Sequence, residues 1–104
     1  MKILDREWLA AIFDDPEEVE DVIAQGIADI CEQLTELRDA VEGSDLERVA
    51  DLAHRIKGVA ANIGAQYIQD CAGRLEHAAR KEGGDSIAGH FTLLSESVDA
   101  LCDG

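Results

Sequence analysis

The chain has 104 residues, enough for one small domain, which we expect to span 1–104, and too few for a nucleotide-binding domain joined to a substrate domain. Apolar residues make up 46% of it and charged residues 31%, so it should fold. The net charge of −14 disfavours binding to nucleic acids and to anionic membranes. A single proline and 4% aromatic residues favour an all-α protein with an aliphatic core.

The first predicted element is a short helix near 5–13, which should cap one end of a bundle through four apolar residues: Trp8, Leu9, Ile12 and Phe13. A second helix is predicted for 16–42. Asp15 can cap its first turn, and Pro16 suits the first helical position. Apolar residues then recur every three or four positions, as on one face of a helix, until Gly43 ends it.

A third helix is predicted for 45–63, opened by a capping box in which Ser44 and Glu47 satisfy each other's backbone amides. Gly64 ends it, a fourth follows near 65–82, and Gly83 with Gly84 separates this from a fifth near 86–102, capped by Asp85 or Ser86. Four long amphipathic helices with short connections predict an antiparallel, up-down four-helix bundle under the N-terminal helix.

The three cysteines, Cys31, Cys71 and Cys102, are odd in number and widely spaced. They are interpreted as small apolar residues in a reducing cytoplasm rather than as a disulfide framework or a zinc site. Acidic residues and a tryptophan interrupt the N-terminus where a signal peptide would need an apolar stretch. We therefore expect a cytoplasmic protein, either free-standing or a module of a larger chain.

Familiar site motifs are absent from the sequence. There is no glycine-rich nucleotide loop, so no cofactor-binding site is expected. A di-iron bundle needs Glu-x-x-His, whereas Glu76 directly precedes His77, so no metal site is expected either.

His54 points roughly 130° away from the apolar stripe of its helix, given 100° of rotation per residue. Gly58 lies one turn later, although glycine costs a helix about 1 kcal/mol relative to alanine. With Ala50 and Ala61, it should form a smooth exposed strip for partner docking, while Lys57 offers a positive charge nearby. An exposed imidazole beside an ammonium and a strip of small residues indicates a site that holds an anion against a partner surface.

The segment AHRIKGVAANIGA, residues 53–65, resembles the signature of histidine-containing phosphotransfer (HPt) domains of two-component phosphorelays: a histidine, a hydrophobic residue, Lys-Gly, small residues and a final glycine. The segment CAGRLEHAAR, residues 71–80, is similar to the next helix of that family, and the order of helices agrees over nearly the whole chain. Val59 departs from the pattern, since many members have serine there, and should alter the polarity near the site.

The resemblance implies a phosphoryl carrier. His54 would take a phosphoryl group from a receiver-domain aspartate or a sensor kinase and pass it to another receiver, Lys57 would stabilise the phosphate, Glu76 would orient His54, and Arg80 would contact the phosphate. The alternative for the last two is an ordinary surface pair, worth about 0.2–0.5 kcal/mol. The Mg²⁺ would come from the receiver, and the domain would have no ATP site and no cofactor of its own.

Two other histidines are given lesser roles: His77 points away from its apolar stripe and should be solvated, and His90 lies at the edge of a stripe and should pack. Arg55 is expected at most at the rim of the site. Two rival functions remain at this point. One is a helical docking module that is never phosphorylated, and the other is a metal-dependent bundle enzyme.

Overall fold

The protein is described here by a computed structural model that covers residues 6–12 and 15–103. Its helices are α1 (Arg6–Ile12), α2 (Pro16–Glu42), α3 (Leu46–Asn62), α4 (Gln66–His77) and α5 (Ile87–Asp103). Helix α4 continues into a π-helical turn, Ala78–Glu82, and a 3₁₀ turn, Gly84–Ser86, precedes α5. No strand occurs in the two described ranges, and the predicted all-α bundle is confirmed. The helix bounds lie within a residue or two of those expected, provided that the π turn is counted with α4, which itself ends at His77.

The start of α2 follows the predicted capping, whereas the start of α3 differs. The Asp15 carboxylate accepts a hydrogen bond from the Glu17 amide at 2.9 Å, and Pro16 opens the helix. At α3 the cap is Asp45, whose carboxylate accepts from the Arg48 amide at 3.2 Å. The predicted Ser44 cap is wrong because Ser44 lies in the left-handed region (φ 55°), where it makes the turn between the helices.

The core is formed by the inward faces of α2 to α5, and its largest fully buried side chains are aliphatic. Helix α1 packs on α2 through Leu9, which is buried against Val19 and Ile23 in a small cluster separate from the main core. Ile12 was expected to pack as well but is 54% exposed, while Phe13 and the side chain of Trp8 lie outside the described part of the chain. None of the described helices combines the length and the apolar character that crossing a bilayer demands.

The cysteines correct a prediction made from the sequence. Cys31 in α2 and Cys102 in the last turn of α5 form a disulfide, and only Cys71 is a buried free thiol. The two bonded residues are 71 positions apart, so their spacing carries no local signal. They meet because α2 and α5 are neighbours in the bundle.

Helices α2 and α3 approach closely at Gly26. A Cβ atom at this position would lie 2.5 Å from Cγ2 of Ile63 and 3.6 Å from Cγ1 of Val59. Gly58 on α3 is the opposite case, because a Cβ there would meet nothing within 4 Å. The two helical glycines therefore serve different purposes, the first in packing between helices and the second at the surface.

These two environments predict opposite effects of one substitution. Gly26→Gln should destabilise the fold by about 1–3 kcal/mol, because the added atoms overpack the contact between α2 and α3. Gly58→Gln should leave stability unchanged or raise it by up to about 1 kcal/mol, since glycine is a poor helix residue. Urea unfolding of both variants measures this, and equal destabilisation would show that Gly58 is also a packing residue.

Candidate functional site

His54 projects from the middle of α3 beside α4. Its side chain is 63% exposed, in agreement with the predicted direction away from the core. Nδ1 of its ring lies 3.0 Å from Oε2 of Glu76 on α4. The rotational argument from the sequence therefore locates the histidine on the surface, and the α3–α4 pairing brings it to a carboxylate 22 residues away.

Glu76 is the centre of this cluster, with a side chain only 14% exposed. Besides His54, its carboxylate contacts Nζ of Lys57 at 3.2 Å and Nε of Arg80 at 3.2 Å. Burial is the largest single influence on the pKa of Glu76 and would raise it. The hydrogen bonds from Lys57, His54 and Arg80 together outweigh burial and hold the pKa below its ordinary value.

The contact with Glu76 determines which nitrogen of His54 can react. An ionised carboxylate only accepts hydrogen bonds, so Nδ1 of His54 carries the proton in this contact. In a neutral imidazole the second nitrogen, Nε2, then has the free lone pair. The geometry thus assigns the nucleophilic position of the ring to Nε2.

Lys57 reaches the cluster along the surface of α4. It passes over Gly73, where a Cβ would lie 3.4 Å from Cδ of Lys57, at van der Waals contact. The ammonium contacts Glu76, whereas the resemblance implied a role for it at the phosphate on His54. Sequence reasoning missed Gly73, although a glycine in the interior of α4 was the available signal.

Arg80 lies in the π-helical turn and joins the cluster from the far side. Its Nε contacts Glu76, and its Nη2 lies 3.6 Å from Oδ1 of Asp51 on α3. Asp51 was also missed, although it precedes His54 by three residues and such residues share a helix face. The Glu76–Arg80 pair that was the alternative interpretation is present, but it belongs to a larger network that crosses from α4 to α3.

The expected exposure of the docking strip is found at only some of its residues. Gly58 is exposed with open space above it, and Ala61 is half-buried. Ala50 is only 1% exposed and belongs to the core, so its expected place on the docking surface is wrong. The reason is the length of the side chain. Ala50 lies on the same side of α3 as His54, but its single methyl group is buried in the core, whereas the longer imidazole extends to the solvent.

The remaining residues of interest lie away from this cluster. Val59 is half-buried and turns toward Gly26 on α2, so its expected effect on the polarity beside His54 does not follow. His77 is exposed and His90 is half-buried, as their rotations predicted. Arg55 is exposed. Across 6–12 and 15–103, no group of three or more His, Cys, Asp or Glu residues is arranged to hold a metal ion.

The lowered pKa of Glu76 predicts a pH-dependent cost for Glu76→Gln. A carboxylate with a lowered folded-state pKa stabilises the protein above its unfolded pKa, near 4.3, and this contribution disappears as the pH falls through the folded value. The variant should be less stable by about 1–3 kcal/mol at pH 7, and the difference should shrink at pH 3. Urea unfolding at both pH values is the measurement. The exposed Glu82→Gln is the control, and equal losses at both pH values for Glu76→Gln would contradict the ionic network.

Comparison with known proteins agrees with the residue-level resemblance. The family model of the Hpt domain matches residues 21–104, from the first turns of α2 to the end of the chain. No curated protein and no solved structure matches this chain. Hpt domains are helical bundles that act as phosphoryl carriers between the kinases and receiver domains of two-component systems. With most of its length matched, and with a surface histidine on the expected helix, this chain belongs to the family of histidine-containing phosphotransfer domains of two-component phosphorelays.

Proposed function

We propose that the chain is a phosphorelay intermediate in which Nε2 of His54 accepts a phosphoryl group from a receiver-domain aspartate or a sensor kinase and passes it to another receiver aspartate. The observation that carries this proposal is the hydrogen bond between Nδ1 of His54 and Glu76, made by a side chain that is otherwise largely exposed. It leaves a nucleophilic nitrogen on a ring whose tautomer is fixed. An exposed histidine without a role in chemistry needs no such partner.

The transfer balances without movement of a proton. The lone pair of Nε2 forms a bond to phosphorus while the bond from phosphorus to the aspartate oxygen breaks, and that electron pair returns to the receiver carboxylate. The ring becomes a phosphoimidazolium that keeps its proton on Nδ1, against the Glu76 carboxylate. In the outward direction the P–N electron pair returns to Nε2, and the neutral tautomer is restored.

Charge around the ring favours the phosphorylated state. Glu76 offsets the positive charge that develops on the imidazole, as the aspartate does in a serine protease triad. Lys57 and Arg80 both contact Glu76 beside the ring, and on this proposal they are the cations that turn to the phosphoryl oxygens. On this proposal both cations divide their contacts between Glu76 and the phosphoryl group.

The partner supplies what this chain lacks. We infer that Mg²⁺ and the acidic residues that bind it belong to the receiver domain, and that this chain has neither an ATP site nor a cofactor of its own. We place its action in the cytoplasm, where ATP supplies the relay. Because cytoplasmic thiols are kept reduced, the Cys31–Cys102 bond then closes only under oxidising conditions.

The first test of this proposal is His54→Gln. The wild-type chain should take labelled phosphate from a phosphorylated receiver domain of its source organism, and this variant should take none. The label on the wild type should map to Nε2 of His54. His77→Gln, which alters another exposed histidine on the neighbouring helix, is the matched control and should accept phosphate at the wild-type rate. Uptake by His54→Gln, or label on His77 or His90, would show that the acceptor is a different residue, whereas absence of uptake by the wild type would favour the docking module that is never phosphorylated.

A second test concerns docking at Gly58. The receiver aspartate must come within about 3 Å of the ring, so a bulky side chain one turn away should stand between the two surfaces. Gly58→Gln should therefore slow transfer about tenfold or more, with Gly58→Ala mild. Gly89→Gln is the control, because Gly89 is an equally unobstructed glycine on α5. The measurement is the rate of phosphate uptake. Equal rates for Gly58→Gln and Gly89→Gln would show that Gly58 is not part of the docking surface.

A further inference from the structure

Two ion pairs of opposite direction flank the ring of His54. On α3, Asp51 lies three residues before His54, and Lys57 lies three residues after it. The Lys57 ammonium meets the Glu76 carboxylate on α4 at 3.2 Å. On the other side of the ring, the Asp51 carboxylate meets the Arg80 guanidinium at 3.6 Å. Helix α3 therefore supplies the cation of one pair and the anion of the other.

Asp51 is the member of this arrangement that the chemistry of His54 leaves unexplained. Within the described part of the chain, Arg80 is the one cation that forms an ion pair with its carboxylate. Both side chains are exposed, so the pair is not needed to compensate a buried charge. Exposed ion pairs contribute little to the stability of a fold. A purely structural purpose therefore explains the Asp51–Arg80 contact poorly.

The contacts of Arg80 show what Asp51 does to its guanidinium. Nε of Arg80 lies 3.2 Å from Oε2 of Glu76, while Nη2 lies 3.6 Å from Oδ1 of Asp51. Nε and Nη2 form one edge of the planar guanidinium, and arginine binds phosphate most strongly through two parallel hydrogen bonds from such an edge. Here that edge is divided between two carboxylates. A two-bond contact with a phosphoryl group on His54 consequently competes with Asp51 for Arg80.

We propose that Asp51 is a positioning residue that holds Arg80 away from the phosphoryl group and so limits the share of phosphate that His54 retains at equilibrium with a receiver. When Arg80 turns to the phosphoryl oxygens, Asp51 loses its partner, and this loss offsets part of what the new contact contributes. This inference rests on the proposed phosphotransfer function. It adds a residue that keeps the phosphorylated state from becoming too stable for a carrier, which must release the group as readily as it accepts it.

The test replaces the carboxylate of Asp51 by an amide. Each chain is loaded with phosphoramidate, a small donor that phosphorylates histidine directly, and is freed of the donor. It is then mixed with a receiver domain of the source organism and Mg²⁺, and the ratio of phosphorylated His54 to phosphorylated receiver is measured at equilibrium. Asp51→Asn should raise this ratio about two- to fivefold, the range expected when one exposed ion pair no longer competes.

Two controls separate this effect from a general change in charge. Glu47→Gln removes the same charge from an exposed residue of α3, one turn further from the ring than Asp51, and should give the wild-type ratio. Asp51→Glu keeps a carboxylate within reach of Arg80 and should give the wild-type ratio as well. A merely structural role for Asp51 would lower the stability of the fold and would not raise the phosphate retained on His54.

A double variant tests whether Asp51 acts through Arg80. In an Arg80→Gln background, adding Asp51→Asn should change the ratio no more than Glu47→Gln does. Direct repulsion between Asp51 and the phosphoryl group would act with or without Arg80, so an undiminished rise in this background overturns the inference. An unchanged or lowered ratio for Asp51→Asn alone overturns it too. A wild-type chain that is loaded by phosphoramidate but exchanges phosphate with no receiver would instead overturn the proposed function, and this inference with it.

Discussion

The carboxylate of Glu76 is the constraint on which the rest of this site depends. A carboxylate with an exposed fraction of 14% is costly to bury unless it is hydrogen-bonded, and here three donors from two segments converge on it. One donor is the imidazole of His54, which this contact orients. The spacing and register of α3 and α4 are therefore coupled to the orientation of a single ring, and the chemistry follows from the packing.

Much of the fold could be predicted from the sequence because the apolar stripes are long and the breaks are clear. For the site, the sequence predicted the direction of one side chain. His54 faces away from the core, because the rotation per residue along a helix is fixed. Burial was less predictable, as Ala50 shows. Its direction resembles that of His54, but a methyl group ends within the helix contact whereas an imidazole passes beyond it.

Contacts between distant segments account for the rest of what the sequence left undetermined. The place of Lys57 depends on its contact with Glu76 across the α3–α4 pair, and Arg80 meets Asp51 from the π turn. The Cys31–Cys102 bond likewise depends on how α2 and α5 lie together. The predicted cap at Ser44 was wrong for a local reason. Ser44 is the left-handed turn residue, and the cap of α3 is the next residue, Asp45.

The disulfide also divides the chain mechanically. While it is closed, residues 31–102 form a covalent ring that contains α3, α4 and α5 up to Cys102, and only the segments before Cys31 and after Cys102 lie outside it. Tension applied at the two ends of the chain, as between fused domains, then passes from Cys31 to Cys102 through the sulfur atoms. The helices that orient His54 bear none of that load along their backbone, so the ring can keep its orientation while α1 and the first half of α2 are pulled away.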